Sequence, residues 1–201
     1  MLNIDLYKLK PHRIWQLKQF LDLEILDSSY VLAGGALRSL IDFNPINDYD
    51  IFIISDSMDD LILKKKIIED RLRRKNFKQI FNCPKNELST FKLGPIKVQI
   101  INVDNKIYKS MEDVIDQFDF HLCRMALQND KILIDINAIY NIKRKYLSIY
   151  RVTNPSSTIN RFVKYKNAGY NIFNAVKEFS QYFADNVRLG VPMNMEVIYV
   201  D

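Results

Sequence analysis

Two aspartates and a pair of glycines carry the most legible chemistry of this 201-residue chain. Asp48 and Asp50 stand two positions apart at the head of an apolar run from Tyr49 to Ile54. If that run is a strand, its period of two sends both carboxylates to one face, about 7 Å apart along the backbone. That is close enough to share a divalent cation. Upstream, the apolar run Tyr30 to Ala33 is halted by Gly34-Gly35, and Ala36 to Ile41 then reads as a short helix stopped by Asn44-Pro45. Glycines at such a corner carry no Cβ to hold a phosphate off the backbone. The helix start behind them presents free N–H groups and the positive end of its dipole. A cation held beside a phosphate-accepting turn is the apparatus of metal-assisted phosphoryl transfer. The ion neutralises triphosphate charge and lowers the pKa of an attacking hydroxyl. A glycine pair alone is usually only a turn, and an Asp-x-Asp at a strand mouth is usually only surface. Their order, their spacing and the apolar strands behind both carry the reading.

Several further elements must position that corner. Residues 11 to 26 show apolar residues at helical spacing (Ile14, Leu17, Leu21, Ile25), with Pro11 suited to a first turn. Ser57 is placed to cap a basic amphipathic helix reaching about Lys75. Three strand-like runs follow, Phe77 to Phe81, Ser89 to Leu93 and Ile96 to Val103, the last two joined by Gly94-Pro95. From residue 110 the pattern turns helical. Ser110-x-x-Asp113 resembles a capping box with Asp in place of Glu, and a run from Phe118 to Gln128 continues it. Ile132 to Ile134 reads as a brief strand. Asn154-Pro155 opens a helix that Gly169 can close, and a last one runs from Ile172 to Ala184. The expectation is an α+β chain of three parts: an N-terminal helix (1–27), an α/β head (28–108), and a helical neck with the C-terminal part (109–201).

Composition bounds what this apparatus can serve. Apolar residues make up 48% and charged residues 26%, and five glycines and six prolines exclude collagen and low-complexity disorder. No apolar run approaches a membrane span, and the first ten residues hold Asp5 and Lys8 where a signal peptide needs an apolar core. A cytoplasmic protein without membrane contact is expected. Twenty-nine basic against 24 acidic residues give +5, a mild lean toward polyanions. The cations cluster at Lys64-Lys65-Lys66, Arg71, Arg73-Arg74-Lys75, Lys143-Arg144-Lys145, Lys164 and Lys166. Such runs are either solvated helix faces or a phosphate-backbone track. Cys83 and Cys123 lack metal spacing and read as reduced thiols. His12 and His121 are too few and too far apart for a zinc site.

Gly34-Gly-Ala-Leu-Arg-Ser39, followed thirteen residues after Gly35 by Asp48-Tyr-Asp-Ile51, resembles the nucleotidyltransferase head of the bacterial poly(A) polymerase and CCA-adding enzyme family. That family belongs to the DNA polymerase beta superfamily. Phe118-Asp-Phe-His-Leu-Cys-Arg-Met-Ala126 is similar to a later family helix, Ile134-Asp135 to a strand ending in Asp, and Asn154-Pro155 with Gly169-Tyr170 to the neck signature. The resemblance covers about residues 28 to 185. It implies a short mixed sheet flanked by helices, followed by a helical neck, and an enzyme that moves a nucleoside monophosphate from an NTP to a hydroxyl, with RNA or another nucleic acid as acceptor. It further implies Asp48 and Asp50 as catalytic ligands of Mg²⁺ or Mn²⁺. Gly34 and Gly35 would cradle the triphosphate, Arg38 would contact phosphate or brace an acidic loop, and Asp119 would lie near the nucleotide sugar. Arg124 replaces a small family residue at a position that can reach phosphates.

The departures point another way. The family's third carboxylate corresponds best to Gln99, a neutral amide that can orient a hydroxyl but cannot act as a base. Asp104, Asp56 or Glu87 would have to supply that charge from elsewhere. The charged neck template that selects bases in the tRNA enzymes falls on Thr153, Asn154 and Ser157, so CCA specificity is not inherited. Two alternatives stand beside the enzyme reading. One is a degenerate head that binds nucleotide, nucleic acid or a protein partner without turnover. The other is the same chemistry aimed at a protein or small molecule.

Overall fold

The computed structural model describes residues 1–9, 11–83, 88–102 and 106–189. Its strands are β1 (Leu2–Asp5), β2 (Tyr30–Ala33), β3 (Tyr49–Ile53), β4 (Lys78–Cys83), β5 (Leu88–Leu93), β6 (Ile96–Ile101), β7 (Met125–Gln128) and β8 (Lys131–Ile134). Its helices are α1 (Pro11–Leu21), α2 (Gly35–Asp42), α3 (Met58–Arg74), α4 (Met111–Ile115), α5 (Ile136–Arg144), α6 (Pro155–Asn167) and α7 (Phe173–Arg188). The eight strands form one mixed sheet in the order β1-β8-β7-β2-β3-β6-β5-β4. Every pairing is antiparallel except β3 with β6, which the α3 crossover makes parallel. The chain is α+β, as its pattern of elements implies.

Alternation along β3 divides the core. Ile51 and Ile53 face the side covered by α1, α2 and α3, where Leu17, Phe20, Leu37, Leu61, Ile68 and Leu72 are buried. Phe52 faces the other side, with Val31, Leu88, Ile101, Tyr108 and Val114. Period two then puts Asp50 on the Phe52 side, so the acids sit on the face opposite the one that α1, α2 and α3 cover. Burial of both faces explains why β2 and β3 read as continuous apolar runs.

Caps fall where short polar side chains predict them. Ser57 accepts from the Asp60 N–H, Ser110 from Asp113, and Asn154 from Ser157 with Pro155 next to it. Gly169 closes α6 at φ 82°. The expected helix from Phe118 to Gln128 is not formed. A 3₁₀ turn occupies His121–Cys123, and Met125–Gln128 enters the sheet between β2 and β8. Asn129 and Asp130 both take positive φ, 47° and 61°, and form the two-residue hairpin turn that the strand twist favours. The sheet therefore takes β7 and β8 from beyond residue 108 and β1 from the segment read as N-terminal helix. Among the described residues no helix is long and apolar enough to cross a membrane.

Candidate active site

The corner between β2 and α2 is built around Gly34. Its φ of 75° and ψ of −126° suit a residue without Cβ, and its N–H donates to the Met125 carbonyl at 3.0 Å, tying the corner to β7. The ring of Phe118 fills the space a side chain would occupy there, 3.1 Å from an ideal Cβ. The free donors at this corner are the N–H groups in the first turn of α2, which have no intrahelical acceptor. Both aspartates reach the corner. An ideal Cβ on Gly34 would lie 3.7 Å from Asp50 Oδ2, and one on Gly35 would lie 3.9 Å from Asp48 Oδ1. The two carboxylates thus converge on adjacent glycines.

Register settles what stands beside them. In the parallel pairing Asp50 is level with Gln99, and Gln99 is buried. The amide occupies the position next to the paired acids, on the same face. One residue pair along, Lys97 Nζ lies 3.4 Å from Asp48 Oδ2. Asp104 and Glu87 lie outside the described residues. Among those described, no cluster of three or more His, Cys, Asp and Glu can hold a metal. The donor set still suits one hard cation such as Mg²⁺ or Mn²⁺, because such ions often take one or two carboxylates and complete their shell with substrate phosphates and water. It does not supply a third carboxylate for a second ion.

These groups open into a cavity of about 260 Å³, lined from the head by Gly35, Arg38, Asp48 and Asp50 and from the neck by Asn154, Ser157, Arg161 and Lys164. Lys106 and Gln117 close its rim. Arg38 stands 5.4 Å from the centre of the Tyr165 ring. Burial holds the Tyr165 phenol well above its ordinary pKa, and the phenol shares a hydrogen bond with Cys123 Sγ at 2.9 Å. The Tyr165 phenol is therefore neutral at physiological pH. Both cysteines are free thiols.

The structure gathers Gly35, Arg38, Asp48, Asp50 and Asp119 around this cavity, but not Gly34, which Phe118 covers, and not Arg124. The Asp119 side chain is fully buried and accepts from Thr153 Oγ1, from Thr158 Oγ1 at 2.8 Å and from Arg161 Nη1 at 2.7 Å. Its geometry is that of a clamp joining the neck helix to the head. Arg124 turns inward instead. Its Nε donates to Asp135 Oδ2 at 2.8 Å and its Nη1 to Asp116 Oδ1 at 2.9 Å, while its guanidinium lies 3.3 Å from the centre of the Tyr150 ring. A cation enclosed this way braces the fold and does not reach the cavity. Sequence reading had no signal for Arg161, which lies one helical turn beyond Ser157 and faces the cavity only because Asp119 draws it there.

The basic clusters divide similarly. Lys64 pairs with Asp60, Arg71 with Asp27, Arg73 with Glu69 and Asp70, and Lys145 with Asp42. Lys64 and Arg73 are ion-paired within α3, whereas Arg71 and Lys145 pair with acids from distant segments.

Comparison with known proteins places this architecture. The model of a family described as "Gad2: Gabija anti-defense 2 family protein" matches residues 9–145. Among solved structures, the chain is similar to the Thermotoga maritima CCA-adding enzyme in complex with tRNA, at TM-score 0.57 and 14% identity, over 83% of this chain and 41% of that one. It is also similar to a CCA-adding enzyme in complex with CTP, at TM-score 0.61 and 14% identity, covering 83% and 42%. A complex of a CCA-adding enzyme with ATP gives TM-score 0.56 and 16% identity, covering 82% and 41%. At these identities the likeness shows a nucleotidyltransferase fold. The chain spans about two fifths of the length of those enzymes. A search of curated proteins gives no match.

Proposed function

This chain belongs to the Gabija anti-defense 2 family, and from that premise and its cavity we propose that it is a nucleotidyltransferase acting against the defence the family is named for. It moves a nucleoside monophosphate from an NTP to a hydroxyl of RNA or another nucleic acid. The observation that carries the reading is the convergence of Asp48 and Asp50 on the Gly34–Gly35 corner, inside a cavity lined by Arg38 and Arg161. Asp48 and Asp50 are the residues that would hold Mg²⁺ or Mn²⁺, and the bound ion supplies charge neutralisation at the triphosphate. The first turn of α2 and Arg38 orient the phosphates. The acceptor oxygen attacks the α-phosphorus and pyrophosphate leaves. The hydroxyl proton passes to a carboxylate of the Asp48–Asp50 pair, because the Gln99 amide is not basic and serves only to orient the acceptor. CCA-adding enzymes of known structure, solved with ATP, CTP or tRNA, support nucleotide and nucleic acid as the partners.

One observation favours a second reading. Lys97 sits on Asp48 and a neutral amide stands level with Asp50, as a head that binds nucleotide without turning it over would tolerate. The two readings separate on incubation with α-labelled NTPs, Mg²⁺ or Mn²⁺ and mixed RNAs. Transfer with pyrophosphate release, reduced roughly a hundredfold or more in the double variant Asp48→Asn, Asp50→Asn, is the expected result. Nucleotide binding with no pyrophosphate release from wild type would leave only the second reading.

A further inference from the structure

Three lysines far apart in sequence are neighbours in the sheet. Lys78 of β4 is directly opposite Lys92 of β5, and Lys92 is directly opposite Lys97 of β6. Residues directly opposite share a face, so the three ammonium groups form one row across adjacent strands. The face is that of the acids, because Lys97 and Gln99 alternate together and Lys97 Nζ reaches Asp48. Like charges placed directly opposite destabilise a sheet. Among the described residues neither Lys78 nor Lys92 has a carboxylate within ion-pairing distance, and both are exposed. An anion laid along such a row relieves the repulsion between its members.

An aromatic ring stands in the neighbouring row of the same face. The register shift between Gln79 and Phe81 sets Phe81 opposite Thr90, and Thr90 is opposite Gln99. Phe81 therefore shares the face of the lysines, and it is 51% exposed. Cations that meet phosphates, with an open ring on which a base can stack, are the two parts of a single-strand platform. Strands lie about 4.8 Å apart, so the row runs about 10 Å from β4 to β6 and ends at Asp48.

We infer that the exposed lysine end of the β4–β5–β6 face is the track on which single-stranded nucleic acid lies, with Lys78 and Lys92 on its phosphates, Phe81 under a base, and Lys97 at the end that meets Asp48. The inference rests on the nucleotidyltransferase reading for what happens at that end, but the track itself is a binding surface and is measured without catalysis. An acidic protein segment is the competing occupant, and it would use the lysines without needing the ring.

The test is fluorescence anisotropy of labelled oligo(U) and oligo(dT) on the full chain, without NTP or metal, across a salt series. Single-strand binding has a salt slope near 0.7 per phosphate contact. The Lys78→Gln, Lys92→Gln variant should therefore lose about 1.4 from the slope of wild type. Phe81→Ala should weaken binding about tenfold with the slope kept. Neither variant should melt below wild type, since the changed positions are exposed and one change relieves repulsion. Comparison of the two oligonucleotides tells RNA from DNA as the source of the strand. Unchanged affinity and slope in the double lysine variant would overturn the track. So would displacement by poly-glutamate as strong as by oligo(U) together with an inert Phe81→Ala, which would assign the face to an acidic protein. If binding behaves as expected but wild type never releases pyrophosphate, the track stands and the catalytic reading falls. If nucleotide transfer occurs while the lysine variant binds like wild type, the converse holds.

Discussion

Asp119→Asn is the perturbation that best tests how the neck is fixed to the head. The carboxylate is fully buried and takes hydrogen bonds from two threonine hydroxyls and from Arg161, which keeps 23% of its side chain exposed. Its own main-chain carbonyl receives the N–H groups of Tyr150 and Arg151, so the residue joins three segments. The amide has nearly the shape of the carboxylate but carries no charge, and its NH₂ group opposes the donors it meets. Breaking a buried ion pair by removing one partner costs about 3–5 kcal/mol. The partial exposure of Arg161 lets water take over part of its solvation, which puts the expectation at the lower end, about 3 kcal/mol. For a chain of this size that is a fall in melting temperature of roughly 6–12 °C. The assay is urea unfolding of wild type, Asp119→Asn, Arg161→Gln and the double variant. The cycle should return a coupling energy of about 1–3 kcal/mol between the two positions. A loss below about 1 kcal/mol for Asp119→Asn, with additive effects in the cycle, would refute the clamp and return the carboxylate to the role of a ligand contact.

Two further outcomes follow from the same geometry. Gly34→Ala sets a methyl 3.1 Å from the Phe118 ring at φ 75°, combining backbone strain with overpacking for about 2–4 kcal/mol. Thermal unfolding should show a drop of several degrees, smaller when Gly34→Ala is compared with Phe118→Ala as the parent, and a variant that melts with wild type would contradict it. Asp135 gives a pH dependence. Burial pushes its carboxyl up, but hydrogen bonds from His121, the Asn137 N–H and Arg124 outweigh this and hold it below the ordinary value of 3.8. A carboxyl lowered in the folded state contributes stability that is fully present above its unfolded pKa and lost as pH falls through the lowered folded value. Urea midpoints of wild type should therefore fall in acid below about pH 4 more steeply than those of Asp135→Asn. Parallel acid limbs would refute that assignment.

The parts of the molecule legible in the sequence are those set by local rules. β2, α2 and β3 follow from an apolar run, a glycine corner and another apolar run, and the caps at Ser57, Ser110 and Asn154 from short polar side chains ahead of helical periodicity. The level placement of Gln99 and Asp50 was accessible through the family pattern. What was not legible depends on contacts between distant segments. Met125–Gln128 has no strand signature of its own and is a strand because β2 and β8 accept it. Asn129-Asp130 was the local sign of that hairpin. Arg124 reads like any surface arginine until Asp116, Asp135 and Tyr150 enclose it. The basic clusters drew notice because they are contiguous, yet Lys64 and Arg73 find acids one turn away and Arg71 and Lys145 find them on distant segments. The lysine row is invisible in sequence because positions 78, 92 and 97 become neighbours only through strand register.

The distribution of charge around the acids bears on which acceptor they serve. A site with three carboxylates and two divalent ions can present a small neutral hydroxyl, because the ions carry the electrostatic load. Here the third position is an amide and a lysine stands on one of the two remaining acids. On the proposed function, neutralising a triphosphate would therefore fall more heavily on protein cations, Arg38 and Arg161 in the cavity and Lys97 beside it. Arg38 rests on the Tyr165 ring, Arg161 on Asp119 and Lys97 on Asp48, and the cations continue outward as Lys92 and Lys78. A small neutral acceptor would gain nothing from a row that extends about 10 Å beyond the reacting atoms, whereas a polyanionic strand is held by every member of it. The substitutions that make the site unusual as a two-ion enzyme thus also favour a nucleic-acid acceptor over a protein side chain or a small molecule.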